Sequence, residues 1–498
     1  MTGLAVAAVE VTLDGTPLPP TVRILSVRAA AHFGVPSQCE ISLHDPAGYQ
    51  SWPSPARLGA KIQVGMHGED DPLFAGEVTA VELSRAADGT ATARIRGYDL
   101  LHRLRKRQSL RVMERVTAAA VARALTSDLG VTVDGGSGPS LARVVQHRQH
   151  DFDLLVEVAA RTGHLVALDG TTLRLATLDG FGPDVPLVYG YNLYEATVEA
   201  NLEKVAGSVA ALGWDAEGAE QVRAVASRPR TGRRIDFAVP DTGEFSLVEH
   251  PAATTDDVGA AAQLALDLRA ASGVVLRGVA AGDVRLRAGA RVDVSGIGDT
   301  VDGRYVVCHV VHRIDADGFQ TSFTTEPPAL PAPERGAAIT LGRVTEVGDP
   351  GGHGRVRVSL PAFGDIDAGW LGVVCPGAGR GKGLVALPDV GDTVAVALPH
   401  AEPTAGLVLG SLYGSLTPPD DGVTLGAVRR WSLRTDDGQS IVIDDSGHSI
   451  RMENKDGSFV EIAPDAVQIT AKTDLVLDAA GHAVTIRGRA VDFEHALI

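Results

Sequence analysis

Residues 466–496 read AVQITAKTDLVLDAAGHAVTIRGRAVDFEHA. Apolar side chains come in pairs one residue apart: Val467 and Ile469, Leu475 and Leu477, Val484 and Ile486, Val491 and Phe493. Alternation with period two marks a strand that has one apolar face. Upstream the same pair recurs at Val460/Ile462, Ile450/Met452 and Ile441/Ile443. The first members stand at 441, 450, 460, 467, 475, 484 and 491, in steps of 9, 10, 7, 8, 9 and 7 residues. Asp-Gly, Ser-Gly, Ala-Gly and Pro-Asp pieces punctuate the series as turns. No helical pattern follows that would cover the apolar face.

A repeat this short points to a β-solenoid. A coil of a single-chain β-helix takes roughly twenty residues, so this segment would make two or three coils and leave its edges open. Three chains wound together resolve the difficulty. Each strand turns its apolar face to a shared axis and pairs with strands of the other two chains. Seven layers at about 4.8 Å then give a prism roughly 30–35 Å long. The seven apolar pairs from Ile441/Ile443 to Val491/Phe493 form the expected trimer core. A small β-sandwich is the alternative; the near-constant step and the absence of longer loops count against it.

Residues 339–415 predict a compact β-barrel. Short strands such as GRVRVSL, GLVALP, DTVAVAL and LVLGSLY are separated by Gly/Pro/Asp turns. About five strands in about seventy-five residues suits an OB-fold. OB-folds often bind single-stranded nucleic acid through a basic groove and stacking aromatics. This segment offers only Phe363, Trp370 and Tyr413, with five Lys/Arg against seven Asp/Glu, so a structural barrel is the better reading.

The whole chain of 498 residues is too long for one ordinary domain. Its net charge of −17 argues against general nucleic-acid or anionic-membrane binding. Cys39, Cys308 and Cys375 are far apart and form neither a metal spacing nor an even disulfide framework. The N-terminus lacks a basic n-region and meets Glu10 early, so no cleaved signal peptide is expected. No apolar run approaches a membrane span.

The first 330 residues hold an internal echo. GAKIQV at 59–64 and GARVDV at 289–294 match in pattern. LFAGEVTAVEL and TATARIRG follow the first; DGRYVVCHVVHRI and FQTSFTT follow the second. Each is strand, turn, long strand, turn, strand, which implies two related barrels; chance similarity between β-rich segments is the alternative. VTAAAVARALTSDLG (116–130) reads as an amphipathic helix, and residues 150–176 as a helix followed by a hairpin. In a trimer, two equivalent barrels per chain present six equivalent faces, able to mate with a ring of six subunits.

Candidates for chemistry are sparse. Cys308-His309-Val310-Val311-His312 carries three ligand types, but on a strand His309 faces away from Cys308 and His312. Arg103, Arg105, Lys106, Arg107 and Arg111 form a basic run: a solvated face, or a dock for an acidic neighbour. Glycines around Cys375–Gly383 lack the Gly-Lys-Ser/Thr of a phosphate loop. No nucleophile elbow or HExxH occurs.

The string GRVRVSLP, then Trp370, Leu387-Pro388-Asp389-Val390-Gly391-Asp392 and Leu409-Gly410-Ser411-Leu412-Tyr413, resembles the OB domain of VgrG-type spike proteins and of phage baseplate spikes. ALGWDAEG (211–218) resembles the family's Gly-Trp-Asp segment, and residues 73–104 its first hub barrel leading into a helix. The resemblance implies a mainly β fold with an α+β hub: two tube-like barrels with helical insertions over residues 1–330, a linker 331–338, the OB-fold at 339–415, a linker 416–430 and an intertwined trimeric β-helix at 431–498. It implies a structural hub and membrane-puncturing spike of a contractile, phage-tail-like injection particle. The homotrimer would adapt the hexameric inner tube protein to a threefold spike, among baseplate proteins, and meet the target membrane only on firing. A PAAR-type tip protein would cap the end near Phe493, His495, Leu497 and Ile498. His495 shares parity with Val491 and Phe493, so three copies facing the axis are a candidate metal site; tip packing is the simpler role. No cofactor and no enzymatic activity are expected. Neither a lysozyme-like domain between barrel and tail nor an effector domain after it is expected. The protein would be made in the cytoplasm and reside in the particle, held in the cell or released. The short hub and spike favour an extracellular contractile system or phage-tail-like particle. A type VI spike, a tail adhesin and a wall hydrolase are the alternatives.

Overall fold

The computed structural model describes residues 9–19, 22–44, 57–69, 71–135, 138–215, 220–233, 243–248, 254–330, 336–399 and 401–493. The chain is mostly β and divides into two compact units, Met1–Ser411 and Leu412–Ile498. Among the described residues no helix is long and apolar enough to cross a membrane.

The first unit contains the echo seen in the sequence, now as topology. Its first copy consists of β1 (Val9–Leu13), β2 (Arg23–His32), β3 (Val35–His44), β4 (Lys61–Met66), β5 (Phe74–Arg85) and β6 (Ala91–Tyr98), in spatial order β2-β3-β6-β5-β4-β1. The second consists of β7 (Phe181–Val188), β8 (Leu193–Ala200), β9 (Val274–Ala281), β10 (Ala290–Ser295), β11 (Gly303–Val306), β12 (His309–Asp315) and β13 (Gly318–Thr324). Its order is β8-β9-β13-β12 in one sheet and β7-β10-β11 in another, with β11 and β12 together taking the part of β5. One detail identifies the copies closely. Gly59 donates its N–H to the Val78 carbonyl and Val78 donates to Ala60; Gly289 donates to Val307 and Val307 to Ala290. Both glycines sit at positive φ, +84° and +91°, where a side chain would be strained. The copies differ in one outer strand: β1 runs antiparallel to β4, whereas β7 runs parallel to β10.

Each copy closes over its own core. Val27, Ile41, Leu43, Ile62, Val64 and Ile95 fill the first. Leu187, Leu193, Leu276, Val292, Tyr305 and Phe323 fill the second. The copies meet where β12 pairs antiparallel with β2.

The helices lie where the apolar spacing puts them: α1 (Ala118–Thr126), capped by the Thr117 side chain, and α2 (Asp151–Arg161), followed by a hairpin of residues 165–169 and 172–176. A longer helix, α3 (Thr255–Ala271), packs on strands Ser208–Asp215 and Glu220–Ala226. Residues 211–215 of the ALGWDAEG segment lie on the first of these strands; 216–218 fall outside the described residues.

Within the same unit, β14 (Ala337–Glu346), β15 (Val356–Leu360), β16 (Ile366–Val373), β17 (Thr393–Pro399) and β18 (Leu407–Leu412) close a five-stranded barrel. Its interior is Val344, Val356, Val358, Leu360, Leu371, Val394, Val396, Leu398 and Val408. The expected strand GLVALP (383–388) is not one of them. It runs as exposed loop, because no neighbouring strand lies alongside and Pro388 has no N–H to offer; Leu384 N–H alone reaches the Pro376 carbonyl. Val145, on a strand paired with Arg111–Val116, packs into the barrel core, and Arg143 bonds Asp367, so hub and barrel share an interior edge. Residues 331–335 of the expected linker fall outside the described residues.

Candidate interaction surfaces

The tail unit is an antiparallel meander of five strands: β19 (Arg430–Arg434), β20 (Ser440–Asp444), β21 (Ser449–Glu453), β22 (Phe459–Ile462) and β23 (Val467–Thr470). Connections of four or five residues carrying Asp-Gly, Ser-Gly or Pro-Asp let consecutive strands fold back on each other. The expectation that each of these strands pairs with other chains is therefore corrected for the first four apolar pairs, which bond within the chain.

Register puts the apolar residues into rows. Trp431 lies opposite Ile443, Ile443 opposite Ile450, and Ile450 opposite Ile462, which faces Val467. The second row is Leu433, Ile441, Met452, Val460 and Ile469. The reverse face carries Arg451, which donates to Glu453 and Glu461 at 2.9 Å and covers the Phe459 ring at 3.6 Å. The burial is the opposite of what a lone sheet in water would choose. Apart from half-buried Val460, the apolar face is open, from 41% at Ile441 to 71% at Trp431.

Beyond Thr470 the described residues form no strand. Leu475, Leu477, Val484, Ile486, Val491 and Phe493 are all exposed, Phe493 at 90%. His495, Leu497 and Ile498, with the proposed tip contact and metal candidate, lie outside the described residues. Trp431 and Leu433 were missed as members of the stripe. They stand ten and eight residues before Ile441, so the repeat step reaches them, but flanking arginines hide the strand. The expected linker 416–430 contains a small hairpin, Val423–Thr424 with Ala427–Val428, and a two-pronged ion pair of Arg430 with Asp420.

The remaining candidates are structural. His312 is buried. Its Nε2 lies 3.0 Å from the Leu286 carbonyl, which can only accept, so Nε2 carries the proton and Nδ1 accepts from Thr321 Oγ1 at 2.9 Å. Desolvation pulls its pKa down to about 4. Burial pushes the Cys308 thiol up to about 12, and His309 lies against His32, centroids 5.3 Å apart. Among the described residues no group of three or more His, Cys, Asp or Glu is placed to hold a metal. Much of the basic run is used internally. Arg103 pairs with Glu77, Arg107 with Asp128 at 2.9 Å, Arg111 with Asp151 at 3.1 Å, and Arg105 covers Phe152. The barrel has an outer apolar band unforeseen in the sequence: Ile339 and Leu341 on β14, Leu407 and Leu409 on β18, and Val385 on the loop, all exposed.

Residues 4–316 match the Alg8 N-terminal domain family. The chain belongs to that family. Residues 340–413 match the type VI secretion system/phage-baseplate injector OB domain. No curated protein matches by sequence. Among solved structures, the Francisella PdpA–VgrG complex in its lidded form is similar over 93% of this chain and 79% of that one, at 8% identity and TM-score 0.57. The E. coli c3393 protein, a type VI secretion component, is similar over 81% and 99%, at 13% identity and TM-score 0.52. The 43 kDa tail protein of Shewanella oneidensis prophage MuSo2 is similar over 64% and 98%, at 15% identity and TM-score 0.50. The chain has the fold of VgrG-like hub-spike proteins: paired hub barrels, an OB barrel and a strand-rich tail.

Proposed function

We propose that this protein is the hub and spike of a contractile, phage-tail-like injection particle, working as a homotrimer. The observation that carries the reading is the tail stripe: two register rows of apolar side chains from Trp431 to Ile469, largely open, followed by exposed Leu475, Leu477, Val484, Ile486, Val491 and Phe493. Each such side chain gains about 1.5–3 kcal/mol when taken out of water, and soluble monomers rarely leave so long a stripe uncovered. Two further copies of the same stripe are the partner whose shape and chemistry match it. Past Thr470, chain-to-chain hydrogen bonds would supply the strand pairing that one chain lacks.

The hub's two barrels per chain give six similar faces in a trimer, suited to a hexameric inner tube protein. The end near Phe493 would carry a PAAR-type tip protein, and baseplate proteins would surround the hub. Work is mechanical: a narrow prism held by inter-strand hydrogen bonds transmits axial force on contraction and meets a membrane only then. No bond chemistry is assigned to any residue. The protein would be made in the cytoplasm and reside in the particle, held in the cell or released.

Light scattering on the full chain and on a truncated chain ending at Ser415 tests the reading. A trimeric full chain that weakens or falls to monomer without the tail supports it. A monomeric full chain at micromolar concentration overturns it.

A further inference from the structure

Cys308, His309 and His312 fail as a local metal cluster because His309 lies on the opposite face of the strand from the other two. On that opposite face it meets a histidine of the other barrel copy. β12 pairs antiparallel with β2, and the register sets His309 directly opposite His32. Next along the ladder, the Phe33 N–H donates to the Cys308 carbonyl. Hydrogen-bonded and non-hydrogen-bonded positions alternate in an antiparallel pair, so His32 and His309 occupy a non-hydrogen-bonded one. There opposed Cα atoms approach to about 4.5 Å and the side chains are closest. The two ring centroids are 5.3 Å apart, with the planes at 67°.

The tautomer of His32 is set as well. Its Nδ1 lies 2.5 Å from the Phe33 carbonyl, which can only accept, so Nδ1 carries the proton and Nε2 keeps its lone pair. An imidazole that donates one N–H to a carbonyl and offers its other nitrogen is the form that ligates metal ions. A ligand nitrogen stands about 2.0–2.1 Å from zinc. That puts each ring centroid roughly 3.2 Å from the ion, and two centroids on tetrahedral ligands about 5.2 Å apart. The rings of His32 and His309 stand at that separation. Both are half-buried, so the gap between them stays within reach of water.

We propose that His32 and His309 together bind one divalent transition ion of the zinc, nickel and copper class. The ion bridges the two barrel copies on the strand pair where they meet. Among the described residues no third His, Cys, Asp or Glu completes the site, so water fills the remaining positions. Imidazole nitrogen selects these ions over calcium and magnesium, which take oxygen ligands. Charge works against the site: Arg28 and Arg313 lie opposite each other on the same face, four residues along from the pair. Binding therefore relies on coordination to nitrogen and is moderate in strength. Both ligands come from one chain, so the inference does not depend on the homotrimer reading.

The full-length protein, titrated with Cu²⁺ and with Zn²⁺ beside the His32→Gln and His309→Gln variants, tests the site. The parent is expected to bind one ion per chain more than either variant, the remaining histidines being common to all three. Its copper electron-paramagnetic-resonance spectrum is expected to show nitrogen couplings that both variants lack. Zn²⁺ at about a hundred times its Kd favours the folded parent roughly a hundredfold, read as a rise in the hub melting point that neither variant shows. Modification by diethyl pyrocarbonate, located by peptide mass, reads the same site in the parent alone and needs no variant to fold. Zn²⁺ is expected to protect His32 and His309 together. Equal binding and equal melting shifts in the parent and the variants overturn the inference, as does a parent whose two rings stay reactive in saturating Zn²⁺. The pair is then ring packing across the junction and nothing more.

Discussion

The barrel strand Thr393–Pro399 and the tail strand Ser440–Asp444 carry the same pattern, TVAVALP and SIVID, with apolar residues at every second position. In the barrel, Val394, Val396 and Leu398 are fully buried within the chain. In the tail, Ile441 and Ile443 are 41% and 45% exposed. Alternation announces a face that must be covered. It is silent on whether the cover is the same chain or another. Closure of the barrel settles the matter for one region, and in the other the meander leaves its apolar face open.

The largest effect that separates the two regions is a charge placed under each cover. Val396→Asp sets an unpaired carboxylate inside the barrel at a cost of several kcal/mol. The expected result is loss of the cooperative melting transition at any protein concentration, read by circular dichroism. Ile450→Asp, in the middle of the tail rows, is expected to leave the hub transition in place while light scattering reports monomer. A hub that unfolds with Ile450→Asp would erase the distinction.

Next comes pH. His312 titrates near 6.5 unfolded and about 4 in place. The unfolded chain thus binds more protons between those values, and the group's contribution is full above 6.5 and lost as pH falls toward 4, on the order of 3 kcal/mol. Asp99 acts in the other sense. Burial raises its carboxyl to about 6, so its contribution is present below 3.8 and lost as pH rises through 6. The two oppose each other, so the readout is the difference between the parent chain and His312→Gln. The hub melting point of the variant is expected to hold up better from pH 6.5 to 4.5, while tail association stays the same. An identical pH profile for both proteins counts against the buried neutral histidine.

The smallest effect lies on the charged reverse face of the tail. Arg451 bonds Glu453 and Glu461 with all three side chains about a third exposed. Such pairs contribute at most about 1 kcal/mol. Arg451→Gln is expected to leave trimer mass unchanged and shift dissociation by no more than a few-fold on dilution. A complete loss of trimer would move the interface to the charged face.

Much of this architecture could be read directly. Val467/Ile469 and the three pairs before it marked four of the tail strands, while the three pairs after Thr470 form no strand, GAKIQV and GARVDV marked the doubled barrel, and the α1 and α2 spacings their helices. What escaped has physical reasons. GLVALP has strand composition but no neighbour, and strand formation needs one. Trp431 and Leu433 obey the tail period, yet Arg429, Arg430 and Arg434 lower the local hydrophobicity around them. The basic run looked available because its acceptors, Glu77, Asp128 and Asp151, arrive from elsewhere in the chain. The outer band of the barrel followed only once closure had decided which side of β14 and β18 faces in.

The unpaired stretch after Thr470 has a consequence for inheritance. If its strands form only among three copies, a defective tail is not a private fault of the chain that carries it. In a cell making equal amounts of normal and defective chains, only about one trimer in eight would be free of the defect. Tail lesions would then behave as dominant, whereas a lesion confined to the barrel core, which unfolds its own chain before assembly, would behave as recessive.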